Sequence, residues 1–293
     1  MKKGPDFIII GAMKCATSTL HDQLAAHASF FMSSPKEPNF FSDDQVYEKG
    51  LGWYESLFAE AGPDQLRGES STHYTKLPIY PQALPRLVDY CSGAMKCIYV
   101  MRQPVERLIS HYIHEWTQGV YSCEINQAVK RYPEMVEYGC YYRQLQPYLA
   151  MFGRESVLPM FAERLRADPR GELQRVFDFL GVAEEPPVWR DDIRSNISAE
   201  RLRHCPWRDA LVDNSLLAWL RRTLVPKELR KRVRQLWTMD ERPQLSKGIR
   251  REVEEVFNRD LEDLGLKLGL DLDCAGFRAQ VVAPSHIGWV GEP

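Results

Sequence analysis

Short apolar runs alternate with stretches of helical periodicity through the first two thirds of the chain, and this alternation restricts the fold more than any other feature. The runs at 7–10, 30–32, 66–70, 97–101 and 157–161 read as strands. Between and after them, 18–27, 47–59, 81–90, 105–116 and 171–180 carry apolar residues at helical spacing. Strands alternating with helices predict an α/β fold with a central parallel sheet covered on both faces. Right-handed crossovers then bring the strand C-termini to one edge, where ligands bind in such sheets. From about Arg194 helices dominate, at 211–223, 226–237 and 246–264, the last opening on Ser246 as N-cap. The stretch after Gly276 is weakly patterned and is expected to dock loosely. The expectation is one domain over 1–293: an α/β core at 5–193, a helical region at 194–270 and a tail at 271–293.

The first junction, "FIIIGAMKCATSTL" at 7–20, runs from an apolar strand through a turn into a helix. Its turn carries Lys14 and then the hydroxyls of Thr17, Ser18 and Thr19. Exposed N–H groups and the helix dipole at such a point favour an anion. The spacing is not that of the nucleotide loop G-x-x-x-x-G-K-[ST], because the lysine follows Gly11 too closely and no second glycine appears.

The junction "CIYVMRQPVERLISHY" repeats the strand-to-helix pattern, with Arg102 at the strand end, Pro104 at the helix start and Ser110 further along the helix. A planar guanidinium grips phosphate in bidentate fashion, and a serine hydroxyl can complete the cradle. A third stretch, "SSPKEPNFF" at 33–41, places Glu37 ahead of two aromatics on a sheet-edge loop, a fitting position for a general base. Each piece alone also reads as ordinary surface.

Together and in this order they resemble the sulfotransferases that use 3′-phosphoadenosine-5′-phosphosulfate (PAPS), above all the branch containing the heparan sulfate sulfotransferases and their bacterial relatives. The matching motifs are "KCATST" for the 5′-phosphosulfate loop, "RQPVERLIS" for the 3′-phosphate and "KEPNFF" with "GLGWY" for the base loop. "GESSTHY" and "LSKGIRREVEEVFNRDLEDLG" add to the likeness, which covers roughly residues 5–270. The resemblance implies a P-loop-like three-layer fold whose core binds PAPS and releases 3′,5′-ADP, with no metal required. It implies that Lys14 donates to the leaving phosphate, while Cys15, Ala16, Thr17, Ser18 and Thr19 form the 5′ loop. Arg102 and Ser110 would anchor the 3′-phosphate, with Arg107 as a secondary candidate. Glu37 would take the acceptor proton, and His73 is the alternative base. Three departures stand out: Ala16 where the family usually has glycine, Asn39 for a histidine of the glycan-modifying enzymes, and Ser70 for a lysine after Glu69. The acceptor would be a hydroxyl, with an amine as the second choice, on a carbohydrate, lipid or small molecule. Specificity is expected on 118–150 and 195–240.

Cys15 allows two readings. Its place beside Lys14 and before a helix N-terminus favours a reactive thiolate with pKa below about 8.5; cysteine is equally often a buried, inert thiol.

A net charge of −2, with 44% hydrophobic and 27% charged residues, gives no reason to expect nucleic acid as partner. No apolar run approaches the roughly 18 residues of a membrane span. The apolar stretch after Lys2 and Lys3 is too short for a signal peptide and reads as the first buried strand. The 7 cysteines are odd in number and lack a C-x-x-C pair, which points to reduced thiols in a cytoplasm. His111, His114 and Glu115 share a helix but not in the order H-E-x-x-H, so they are not read as a metal site. The basic run 221–235 reads as a solvated helix face, and Trp53 and Trp116 as packing residues. Two other functions compete: a P-loop small-molecule kinase, which would need a Walker lysine and a Mg²⁺ ligand, and a silent nucleotide- or glycan-binding protein.

Overall fold

The computed structural model describes residues 4–182, 187–193, 239 and 241–291. Five strands form one parallel sheet: β1 (Phe7–Gly11), β2 (Phe30–Met32), β3 (Leu66–Ser70), β4 (Lys96–Met101) and β5 (Val157–Phe161), in the order β2-β3-β1-β4-β5. The central strand is buried along its whole length, from Phe7 to Ile10 at 0% exposure, as expected for a parallel strand covered on both faces. Gly11 ends it where a Cβ would fall 2.1 Å from Thr75 Oγ1 and 2.7 Å from the Tyr99 ring, so only a bare backbone fits.

Helices pack around this sheet. They are α1 (Thr17–Ala25), α2 (Asp44–Tyr47), α3 (Gly50–Ser56), α4 (Ala83–Cys91), α5 (Pro104–Thr117), α6 (Ile125–Arg131), α7 (Glu134–Glu137) and α8 (Tyr141–Phe152). Then follow α9 (Ala162–Ala167), α10 (Pro169–Leu180), α11 (Lys247–Leu268) and α12 (Phe277–Val282). The start of α5 obeys its sequence: Pro104 takes the first turn, and the Gln103 side chain accepts the Glu106 N–H at 2.7 Å. Ser246 caps α11 by accepting the Ile249 N–H, and Gly269 closes that helix at φ 66°.

Two expectations need correction. The helix expected over 47–59 is split, because Gly50 at φ 80° interrupts the pattern between α2 and α3. The stretch after Gly276 is not loosely docked: Phe277 and Val281 are fully buried, Ile287 is 2% exposed, and Trp289 Nε1 donates to the Val157 carbonyl at 2.6 Å. Phe277 and Val281 do share a face of α12, but a six-residue helix is too short for its periodicity to stand out in the sequence. The helices expected at 211–223 and 226–237, the basic run 221–235 and most of 195–240 lie outside the described residues. Among the described residues no helix is long and apolar enough to cross a membrane.

Candidate active site

The strand order reverses between β1 and β4, since the chain leaves β1 toward β2 and β3 and later crosses to β4 and β5. Loops that part at such a switch point leave a crevice at the strand C-termini. A cleft of about 850 Å³ opens there, lined by Lys14 after β1 and Arg102 after β4.

The loop after β1 turns sharply. Lys14 and Ala16 both hold left-handed backbone, at φ 68° and 67°, and Ala16 is the N-cap of α1. No side chain caps that helix and no acid sits in its first turn, so its N-terminal N–H groups and positive dipole end face the cleft with Thr17, Ser18 and Thr19 around them. Alternation in this turn sends Lys14 and Ala16 to the cleft and Cys15 inward. The Cys15 thiol is fully buried, 3.7 Å from Tyr141 Oη, and burial pushes its pKa up to about 11 despite Arg107 nearby. Cys15 is therefore the inert thiol of the two readings, and its side chain does not line the cleft. The left-handed alanine carries a cost of about 1–2 kcal/mol that glycine escapes. Ala16→Gly is expected to raise unfolding stability by about 1 kcal/mol in a urea titration; a loss of stability would refute the strained turn.

Glu37 comes from the loop between β2 and α2, which is tied to β3: the Glu37 N–H donates to the Ser70 carbonyl at 2.9 Å, and the Asn39 N–H to Ser71 Oγ at 3.0 Å. Its carboxylate pairs with Lys36 Nζ at 2.7 Å and accepts the Thr72 hydroxyl at 3.0 Å. Burial opposes its charge, but Lys36 and Thr72 hold its pKa below the ordinary glutamate value. His73 also lines the cleft, stacked on Tyr80 at 4.6 Å; burial, then Lys76, presses its pKa down to about 4. Both proposed bases thus reach the same cleft in proton-accepting form at neutral pH.

Arg102 lines the cleft with Ser110. The Arg102 guanidinium lies 3.5 Å from the Lys14 carbonyl and 3.5 Å from Glu106 Oε2. Arg107 does not join them: it is fully buried and donates to the Met135 carbonyl. The secondary candidate for phosphate is thus an internal tie between α5 and α7.

Several cleft residues escaped the sequence reading, Lys76 and Trp189 among them. Lys76 is 8% exposed, lines the cleft, and is pressed by burial to a pKa of about 8, against the pull of Glu37. Its trace in the sequence was the missing lysine after Glu69: Ser70 instead bonds His21 Nδ1 at 2.8 Å, and a lysine six residues on supplies the cation. Trp189 joins Leu165 and Pro169 in giving the cleft apolar surface, and its segment is fixed to α1 by two bonds between the Gln23 amide and the Arg190 backbone, at 2.8 and 3.0 Å.

Lys14, Lys36, Lys76, Arg102 and Arg166 face the cleft, and Glu37 is the one carboxylate among its described lining residues. A chain of net charge −2 thus concentrates positive potential at one place. An uncapped helix N-terminus, fixed cations and an apolar wall fit a nucleotide bearing several phosphate-like groups. Among the described residues no group of three or more His, Cys, Asp or Glu converges to hold a metal. His111 is buried, 3.6 Å from Glu115, and His114 lines the cleft beside the cations.

Residues 4–265 match the family model described as "Sulfotransferase domain". Mouse heparan sulfate glucosamine 3-O-sulfotransferase 3B1 is 33% identical over 190 residues, 62% of this chain and 47% of that protein. Human heparan sulfate glucosamine 3-O-sulfotransferase 6 is 31% identical over 189 residues, 62% of this chain and 53% of that protein. The chain therefore aligns with about half the length of these relatives. The crystal structure of a sulfotransferase from Alicyclobacillus acidocaldarius shares the fold, with a TM-score of 0.61 at 22% identity, covering 89% of this chain and 94% of that one.

Proposed function

The chain belongs to the sulfotransferase domain family, and from that premise we propose that it transfers a sulfuryl group from PAPS to an acceptor hydroxyl, releasing 3′,5′-ADP. One observation carries the reading: an uncapped helix N-terminus, Lys14, Arg102 and Glu37 all line one cleft at the switch-point crevice. The donor supplies an activated sulfuryl group on a phosphate leaving group. The N–H groups and hydroxyls at Thr17, Ser18 and Thr19 hold its 5′ end, where the helix dipole favours negative charge. Lys14 stabilises the charge that grows on the departing phosphate oxygen. Arg102 and Ser110 bind the 3′-phosphate, and Leu165, Pro169 and Trp189 offer the adenine an apolar wall. Glu37 accepts the proton of the acceptor hydroxyl, and Lys76 adds a cation beside it.

The relatives act, by their names, on glucosamine of heparan sulfate. A carbohydrate hydroxyl is one acceptor class for this chain, and lipids and small natural products are the others, since Asn39 and Ser70 depart from the glycan-modifying pattern. The six cysteines among the described residues are all unbridged, which supports a reducing, cytoplasmic setting. Incubation with ³⁵S-labelled PAPS and a panel of hydroxyl-bearing acceptors tests the activity. Labelled product with equimolar 3′,5′-ADP is expected, and phosphorylated product from ATP with Mg²⁺ would favour a kinase instead.

Arg102→Ala gives a sharper test of donor recognition. Loss of a charged hydrogen bond should weaken 3′,5′-ADP binding by about 1.5–3 kcal/mol and leave 5′-AMP nearly untouched. Equal losses for both nucleotides in calorimetry would remove Arg102 from the 3′-phosphate.

A further inference from the structure

Arg102 sits on the short passage from β4 to α5, and its backbone groups need partners outside a strand ladder. A single side chain from α8 meets both: the Arg102 N–H donates to Tyr141 Oη at 3.2 Å, and the Tyr141 hydroxyl donates to the Arg102 carbonyl at 2.5 Å. Tyr141 is fully buried, so no bulk water competes for its hydroxyl. The same oxygen lies 3.7 Å from Cys15 Sγ, inside the turn that carries Lys14. By contrast, among the described residues the Arg102 guanidinium makes two contacts, both at 3.5 Å, which is long for a hydrogen bond. The aim of this side chain is therefore set mainly by its backbone.

The same face of α8 also holds backbone beside other cleft residues. Gln144 accepts the Leu77 N–H at 2.8 Å and donates to the Leu77 carbonyl at 2.9 Å, next to Lys76. Tyr148 donates to the Tyr74 carbonyl at 2.7 Å, next to His73. Residues three and seven positions apart share one helix face, so the buried face of one helix holds backbone at or beside Arg102, Lys76 and His73. Asp260 of α11 in turn caps α8, accepting the Tyr142 and Arg143 N–H groups at 2.9 and 3.0 Å.

On the reading that the cleft takes a 3′-phosphorylated adenine nucleotide, we infer that Tyr141 is a positioning residue for donor recognition: through the Arg102 backbone it aims the guanidinium at the 3′-phosphate. It touches no donor atom itself. The neighbouring Gln103 is anchored independently, its N–H to Glu163 Oε1 at 3.0 Å and its side chain to the Cys274 carbonyl at 2.9 Å. Loss of the Tyr141 hydroxyl therefore re-aims Arg102 without unravelling the loop.

Calorimetric titration of wild type, Tyr141→Phe and Tyr148→Phe with 3′,5′-ADP and with 5′-AMP, alongside thermal unfolding, tests this. Wild type should prefer 3′,5′-ADP. Tyr141→Phe should cut that preference about tenfold, the effect of a lost buried hydrogen bond, with 5′-AMP affinity retained. Tyr148→Phe removes a comparable buried bond from the same helix, so it should lower the unfolding temperature and leave the preference intact. A purely structural role for Tyr141 would make the two variants behave alike, and an unchanged preference in Tyr141→Phe, or an equal drop in Tyr148→Phe, would overturn the inference. A wild type indifferent to the 3′-phosphate would remove the underlying reading, and this inference with it. Should Tyr141→Phe fail to fold, Asp260→Asn, which loosens the α8 cap, carries the same comparison: a lowered preference is expected and an unchanged one overturns.

Discussion

Glu37→Gln is expected to lower kcat by about 10²–10⁴-fold, the usual contribution of a positioned base, with 3′,5′-ADP affinity barely changed. That loss corresponds to roughly 3–5 kcal/mol of barrier. Glutamine keeps the shape and can still accept the Thr72 hydroxyl, but it cannot take a proton. Lys36 and Thr72 hold the Glu37 carboxyl below its ordinary pKa of 4.5 against the opposing effect of burial, so the group is ionised at neutral pH. Activity should then be lost on the acid side only as pH falls below that value, and the acid limb should vanish in Glu37→Gln. His73 is the rival, neutral above a pKa of about 4 and in the same cleft. If Glu37→Gln stays active while His73→Ala is dead, the proton goes to His73. If both stay active, neither is the base.

Lys14→Ala should act differently, lowering kcat by about 10²–10³-fold, the range for removing one donor to a developing anion, and weakening PAPS as well. On the proposed reading Lys14 contacts the donor and Glu37 the acceptor, and both line the same cleft. Burial lowers the Lys14 pKa, with Glu115 opposing and Arg102 adding to the shift. The contrast between the variants is the informative part. Glu37→Gln should separate turnover from donor affinity, and Lys14→Ala should damage both. A Lys14→Ala enzyme with wild-type kcat would mean that leaving-group charge is met elsewhere.

The sheet was legible because its strands are compact apolar runs bounded by turns. Four of the five observed strands begin where the runs begin, and β4 starts one residue early because Lys96 pairs with Phe7 in the β1–β4 ladder. The loops after β1, β2 and β4 that the sequence singles out all line one cleft, because each leaves the C-terminal end of a neighbouring strand. What sequence did not reveal depends on the third dimension. Cys15 has the neighbours of a reactive thiol, yet the left-handed residues on either side turn it into the core. Arg107 sits within a phosphate motif, yet its guanidinium packs beneath α7. Lys76 lines the cleft from a turn far from the strand-end motifs, beside a Leu77 backbone that α8 holds. Glu69, which the sequence marks only as the residue before Ser70, is fully buried and receives the hydroxyls of Tyr54 and Tyr74.

Titration of the wild-type protein with 3′,5′-ADP, 5′-AMP and ATP with Mg²⁺ under one set of conditions tests the central claim most directly. Recognition of a 3′-phosphorylated adenine nucleotide predicts measurable binding of 3′,5′-ADP, at least about tenfold weaker binding of 5′-AMP, and no advantage for ATP with Mg²⁺. Tighter binding of ATP with Mg²⁺ than of 3′,5′-ADP would contradict it.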